Sequence, residues 1–283
     1  MINFKKLGPH LIVILLFAGI SFAYFSPVLQ GKMLDMPDIK HYKGVSKEVV
    51  DFRDATGEEA LWTNSMFSGM PAYQISTKYK ANLIQYVDKI MMLGIPRPAN
   101  LLFLYLLGFY ILLLSLKVDY RVAIVGAIAF AFSSYFFIII QAGHMTKAHA
   151  IAYLPMVVAA VLYTYRGKML LGGVLTALTV ALELYANHLQ ITYYLVLMLL
   201  LIGVVQFVKD LKTNNLADFA KRTGILVLAA LLASGTSLTR LATTMEYGKD
   251  STRGKSELTD NLDNKTSGLD KDYATSWSYG IAE

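Results

Sequence analysis

The stretch LQITYYLVLMLLLIGVVQFV, residues 189–208, runs for twenty residues without a charged side chain. As a helix it would be about 30 Å long, which matches the hydrocarbon core of a bilayer. Because only intrachain hydrogen bonds satisfy the backbone in lipid, such a run is expected to span as an α-helix. Six further apolar runs lie at residues 7–29, 100–116, 122–141, 148–165, 169–188 and 223–242. We therefore predict an all-α polytopic membrane protein with seven spans.

The composition and the charge distribution agree with a membrane protein. Charged residues make up 16% of the chain, against about 25% in soluble domains. The inner segments, if the N-terminus is cytoplasmic, hold ten basic residues: Lys5, Lys6, Lys117, Arg121, Arg166, Lys168, Lys209, Lys212, Lys221 and Arg222. The two short outer loops hold only Lys147. This bias predicts a cytoplasmic N-terminus and accounts for the net charge of +6 without a nucleic-acid partner.

Four parts follow one another along the chain. Residues 1–29 form the first transmembrane helix, and residues 30–99 form an extracytoplasmic loop domain. Residues 100–242 form a six-helix transmembrane bundle, and residues 243–283 form an extracytoplasmic polar segment. The last residues carry no terminal signature, so we expect the chain to be the front part of a longer protein. The first segment also has features of a signal peptide, but its apolar length favours an uncleaved anchor.

An amphipathic helix is predicted at residues 82–93, inside the loop domain. Its apolar side chains fall at helical spacing and are Leu83, Ile84, Val87, Ile90 and Met91. Its polar face is expected to carry Asn82, Gln85, Asp88 and Lys89. Such a helix lies in the plane of the membrane interface or packs as a small core helix of the loop domain.

Two acids follow the first span and are candidates for catalysis. Asp35 and Asp38 lie within a few residues of the predicted membrane surface, where they would reach the head group of a lipid-linked substrate. A carboxylate there can act as a general base or bind a divalent cation. The alternative is that both are ordinary solvated loop acids.

Further polar residues gather at the predicted outer ends of the later spans. The candidates for substrate binding are His144, Lys147, His149, Glu183, Asn187, His188, Gln190 and Arg253. Ionisable groups at membrane depth are usually functional, and an ammonium or a guanidinium suits a phosphate. We predict that these residues share one pocket with Asp38; alternatively, each belongs to its own helix end. The spacing of His144 and His149 is not a recognised metal pattern, so no cofactor is firmly predicted and a divalent cation stays open.

The chain has no cysteine, which excludes a disulfide framework and a thiolate metal site. Aromatic side chains concentrate in residues 62–73. They would stack on a sugar ring, contact the interface or form the small core of the loop domain.

Five segments together resemble the YfhO-like membrane proteins of Bacteroidetes. They are GKMLDMPDIKHYKGVSKEVVDF, WTNSMFSGMPAYQIS, AGHMTKAHAIAYLP, NHLQITYY and STRGKSEL, at residues 31–52, 62–76, 142–155, 187–194 and 251–258. That family is similar to the GT-C glycosyltransferases, which have a large first outer loop and an acid soon after helix 1. The resemblance implies a GT-C-like fold and a polyprenyl-phosphate-linked sugar donor. The family's acid falls on Asp38, with Asp35 second.

The sequence therefore predicts a glycosyltransferase of the bacterial cytoplasmic membrane, acting on a glycan or lipid of the cell envelope. A transporter or lipid flippase would also use intramembrane ionisable groups such as Glu183. A non-catalytic assembly protein of the envelope is the third possibility.

Overall fold

The computed structural model describes residues 4–251 together with residues 272, 275, 276 and 278. In this part the chain forms twelve α-helices and one short antiparallel sheet, so the all-α class is confirmed. In chain order the helices are α1 (Phe4–Tyr24), α2 (Pro37–Val45), α3 (Lys47–Thr56), α4 (Ile84–Met91), α5 (Ala99–Ser115), α6 (Tyr120–Ala131), α7 (Ser134–Ala142), α8 (Met145–Tyr165), α9 (Met169–Tyr185), α10 (Leu189–Lys212), α11 (Leu216–Gly235) and α12 (Leu238–Gly248). The strands are β1 (Trp62–Thr63) and β2 (Met70–Pro71).

The chain divides into two compact units. The first consists of Met1–Lys47 and Lys78–Ser237, and it contains the apolar helices α1 and α5 to α11. The second consists of Glu48–Thr77 and Leu238–Glu283. The predicted loop domain, residues 30–99, is thus divided between the two units, and its middle part belongs with the segment that follows α11.

Helices α5 and α8 form the centre of the first unit. Helix α5 packs against α1, α6 and α8, and every side chain from Leu101 to Leu106 is buried. The contact between α5 and α8 is close because Gly108 lies against the backbone of Ala152. A Cβ atom at Gly108 would be 2.7 Å from the carbonyl oxygen of Ala152. Small residues permit such close contacts between apolar helices in membranes.

Among the described residues, three helices are long and apolar enough to cross a bilayer: α1 over Leu7–Tyr24, α8 over Met145–Tyr165 and α10 over Leu189–Lys212. The number rises to five if α6 with α7, and α11 with α12, each count as one bent span. Helices α5 and α9 are apolar but have only 17 residues each. All seven predicted runs are thus mainly helical, whereas three to five of them are long and apolar enough to cross a bilayer.

Several helix ends differ from the predicted spans, for local reasons. Helix α1 ends at Tyr24, and Pro27 lies in the short 3₁₀ helix that follows, since proline has no N–H for a helical hydrogen bond. The predicted span at residues 122–141 is bent by 47° between α6 and α7. Helix α9 ends at Tyr185, because Asn187 has a left-handed backbone with φ of 59°.

The amphipathic helix is present as α4, but its faces differ from the prediction. Asp88, expected on the polar face, is 7% exposed, and Leu83 and Ile90 are about 70% exposed. Ile84, Val87 and Met91 pack against the main core. The assignment of Asp88 to the solvent face was wrong because it lies in the same stripe as Ile84 and Met91, four residues after one and three before the other.

The second unit is organised around buried polar contacts. Arg53 on α3 is buried and binds both carboxylate oxygens of Glu59, at 2.7 Å each, and the carbonyl oxygen of Ser76 at 2.8 Å. Strands β1 and β2 pair antiparallel, with Thr63 opposite Met70. A bidentate guanidinium contact of this kind fixes orientation as well as distance.

Candidate functional site

Asp38 and His144 form a close contact in the first unit. His144 Nε2 lies 3.0 Å from Asp38 Oδ2, and the two side chains are 45% and 55% exposed. Asp38 is in the first turn of α2, where a carboxylate interacts favourably with the helix dipole. His144 directly precedes α8. The pair therefore combines an accessible carboxylate with an imidazole.

The backbone around this pair is held by two further contacts. Gln141 Nε2 donates a hydrogen bond to the carbonyl oxygen of Asp35 at 3.1 Å. Gly143, with φ of 97°, lies directly against α2: a Cβ atom there would be 3.1 Å from Asp38 Cβ and 3.2 Å from Ile39 N. Only glycine suits both the conformation and the space. The turn before α8 and the start of α2 are thus fixed against each other.

Asp35, the second predicted acid, has a different environment. Its carboxylate oxygens accept contacts from Lys40 Nζ at 2.7 and 2.8 Å, and both side chains are about 69% exposed. An ammonium already occupies this carboxylate, whereas Asp38 contacts an imidazole. The two acids therefore differ in their partners, and Asp38 is the one that contacts the residue before α8.

Lys147 and His144 both act electrostatically on His188. Lys147 Nζ lies 5.8 Å from the ring centre of Tyr135, a cation–π contact. The pKa of His188 is lowered, mainly because the ring is partly buried and also because the positive charges of Lys147 and His144 act on it. Its Nδ1 atom is buried without a hydrogen-bond partner among the described residues. Of these side chains, His144 is the one that also contacts Asp38.

His149 is placed in a different contact, inside the fold. Its Nε2 atom lies 2.7 Å from Asp88 Oδ1, and both side chains are 9% exposed. Tyr153 donates a hydrogen bond to the same oxygen of Asp88 at 2.7 Å. These contacts connect α4 to α8. The structure thus assigns His149 a partner that the sequence analysis did not consider.

Glu183 is fully buried, and its partner is on the next helix. Thr192 on α10 donates from its hydroxyl to the carboxylate, at 3.0 and 3.1 Å from the two oxygens. Asn187 does not share a helix face with Glu183, because α9 ends before it, and Asn187 is exposed. Gln190 is exposed and donates to Tyr194 on its own helix at 2.8 Å. The described contacts therefore join Asp38 only to His144, and a shared pocket for the other residues stays a prediction.

The part of the chain that the structure describes contains no ligand set for the divalent cation that the sequence left open. There, no group of three or more histidine, aspartate or glutamate side chains is arranged to hold a metal ion. Arg253 lies outside the described residues.

Two partners were missed by sequence reasoning, and one had a visible signal. Asp88 lies at helical spacing from Ile84 and Met91, so a carboxylate within an apolar stripe indicated a buried partner. Thr192, the partner of Glu183, had no comparable signal, since it follows the turn between α9 and α10. Comparison with protein-family models, curated proteins and solved structures gave no match.

Proposed function

We propose that this protein is a glycosyltransferase of the bacterial cytoplasmic membrane that takes a sugar from a polyprenyl-phosphate carrier. The single observation that carries the proposal is the accessible Asp38–His144 pair, 3.0 Å apart, in a helical protein with several apolar helices. The resemblance to YfhO-like proteins, and through them to the GT-C fold, supports the same activity and points to the same aspartate.

In the proposed reaction Asp38 acts as general base. The Asp38 carboxylate takes the proton of an acceptor hydroxyl. At the same time the oxygen of that hydroxyl bonds to the anomeric carbon of the donor sugar. The bond between that carbon and the phosphate oxygen breaks, and its electron pair leaves with the lipid phosphate. Attack opposite to the leaving group inverts the configuration. His144 is the positioning residue that holds the carboxylate oriented.

The leaving phosphate gains negative charge as the bond breaks. His144 lies beside Asp38, and Lys147 and His144 both act electrostatically on His188, whose buried Nδ1 has no partner among the described residues. Charges fixed in advance near a developing anion stabilise the transition state more than they stabilise the substrate.

Sugar transfer assays test the proposal directly. Membranes with the full-length protein receive polyprenyl-phosphate donors carrying radiolabelled sugar, and label in the acceptor fraction is counted. Asp38→Asn is expected to lower the rate at least about 100-fold, because it keeps the size of the side chain and removes the base. Asp35→Asn is the matched control and should lose much less. Wild-type rates in the Asp38 variant would remove this residue from catalysis.

The proposed orientation places α2 outside the cell and the end of α10 inside. The chain has no cysteine, so single cysteines can be introduced without a background signal. A cysteine at the exposed Lys43 should react with an impermeant thiol reagent in intact cells, and one at the exposed Lys212 should react only after lysis. The reverse pattern would contradict an extracytoplasmic site.

A further inference from the structure

The second unit carries a loop, residues 61–69, whose large apolar side chains are turned to solvent. Leu61 is 78% exposed, Trp62 56% and Phe67 81%. Among the aromatic possibilities left open by the sequence, a buried core role is therefore excluded for Trp62 and Phe67. Thr63 within the loop is buried, as are Met70 and Ala72, which follow it.

The indole ring of Trp62 lies directly against Gly69. A Cβ atom at Gly69 would lie 2.8 Å from Cζ2 and Nε1 of the indole, and Gly69 has φ of +125°. Only glycine allows this backbone to lie against the ring. The indole is thus held on one part of its surface while more than half of the residue stays in solvent.

Phe67 is exposed on a backbone that L-residues seldom adopt. Phe67 and Ser68 have φ of 52° and 60°. Left-handed backbone at a bulky residue persists only where the surroundings fix it, and such positions concentrate at binding sites. An exposed ring that gains no burial from this conformation is consistent with a ring presented to a ligand.

The base of the loop is fixed by Glu48 on α3. Its carboxylate accepts hydrogen bonds from the Thr63 hydroxyl and from the N–H groups of Asn64, at 3.0 Å, and Ser65, at 3.1 Å. The bond from Thr63 is the main reason that the pKa of Glu48 is lowered. Because the carboxylate stays ionised at neutral pH, these are charge-assisted bonds, which hold the loop in one conformation.

The charge pattern indicates what kind of ligand fits. Residues 60–77 contain no charged side chain, although residues 47–59 contain seven. An ionic ligand would find no counter-charge in this stretch. The exposed polar side chains near the two aromatic residues are neutral, and they include Asn64 before Phe67 and Ser68 directly after it.

We propose that Trp62 and Phe67 bind the face of a neutral sugar ring. The face of an aromatic ring carries partial negative charge, and the C–H groups on one side of a sugar carry partial positive charge. Asn64 and Ser68 supply amide and hydroxyl groups for the sugar's own hydroxyls. That this sugar belongs to the acceptor of the transfer reaction rests on the proposed function; the binding itself does not.

Tryptophan fluorescence tests the binding without any sugar transfer. The chain has two tryptophans, so Trp277→Phe leaves Trp62 as the only one. This protein, full chain in nanodiscs, is first screened on an array of neutral bacterial and model glycans. The oligosaccharides that bind are then titrated, and we expect a saturable change in Trp62 emission. Phe67→Ala should weaken binding about fivefold to tenfold, as expected for loss of one aromatic contact, and Phe67→Tyr should restore it.

Phe52→Ala is the matched control, since Phe52 is an exposed phenylalanine on α3 in the same unit, at 42%. It should leave the affinity unchanged. Binding of no neutral glycan on the array would overturn the proposal, whether or not the transferase assay succeeds. Quenching of Trp62 by brominated lipids would also overturn it and assign the loop to the bilayer.

Discussion

Two acid–histidine contacts in this protein use histidines only five residues apart. His144 lies 3.0 Å from Asp38, and His149 lies 2.7 Å from Asp88. The first pair is about half exposed, and the second is 9% exposed on both sides and also receives the Tyr153 hydroxyl. Similar contacts at similar distances therefore differ in their surroundings: the first pair is open to solvent, and the second connects α4 to α8 inside the fold.

The largest expected effect is on the buried pair. Asp88→Ala removes the carboxylate that contacts His149 and accepts the Tyr153 hydroxyl, and breaking a buried pair from one side costs about 3–5 kcal/mol. Reversible unfolding in mixed detergent measures the loss. The control is Asp35→Ala, which removes the exposed ion pair with Lys40 and should cost less than about 1 kcal/mol. Equal losses in the two variants would show that burial does not separate these contacts.

Glu183 provides a second buried carboxylate that sharpens the comparison. Thr192→Val keeps the shape and removes the hydroxyl that donates to both oxygens, so we expect a loss of about 1–3 kcal/mol. The same unfolding assay measures it. Thr179→Val is a suitable control, since its exposed hydroxyl bonds to the carbonyl of Leu175 in its own helix. A Thr192 variant as stable as the control would mean that the carboxylate is satisfied by other groups.

The two histidines should separate activity from stability. His144→Gln is expected to lower sugar transfer about tenfold through loss of carboxylate positioning, with little change in unfolding. His149→Gln is expected to lower stability first. Transfer rates and unfolding curves are compared for both proteins, and His144→Asn tests whether a shorter amide fails to replace the imidazole. Loss of stability in the His144 variants, with normal transfer, would reverse the assigned roles.

The smallest expected effect concerns His188. Its pKa lies below the ordinary histidine value, so the native state binds fewer protons than the unfolded state. The contribution of this group to stability is therefore fully present above the ordinary histidine pKa. It is lost as the pH falls from that value through the lowered pKa of the folded state. Lys147→Met removes a positive charge and should raise the pKa of His188, measured by NMR of labelled histidine. Lys89→Met is the control; an unchanged pKa in the Lys147 variant would place its charge away from the ring.

The sequence predicted where the long apolar helices lie, but not all of their ends and not their contacts. Long apolar runs mark α1, α8 and α10 because an α-helix satisfies the backbone hydrogen bonds of such a segment within the segment itself. The end of α9 depends on the left-handed backbone of Asn187, which composition does not reveal. Asp38 and His144 are more than one hundred residues apart, and their contact depends on the turn at Gly143.

The close contact of Gly108 with Ala152 has a consequence for the order in which the fold opens. Tyr105 also donates a hydrogen bond to the Ala148 carbonyl at 2.9 Å, so α5 and α8 meet at the level of their backbones. Amide protons where α5 contacts α8 should exchange with deuterium only on global unfolding. Those of α10, whose surface is largely exposed, should exchange earlier wherever lipid does not cover them. Exchange rates should therefore rank the helices by local stability, and exchange should be slowest at the contact between α5 and α8.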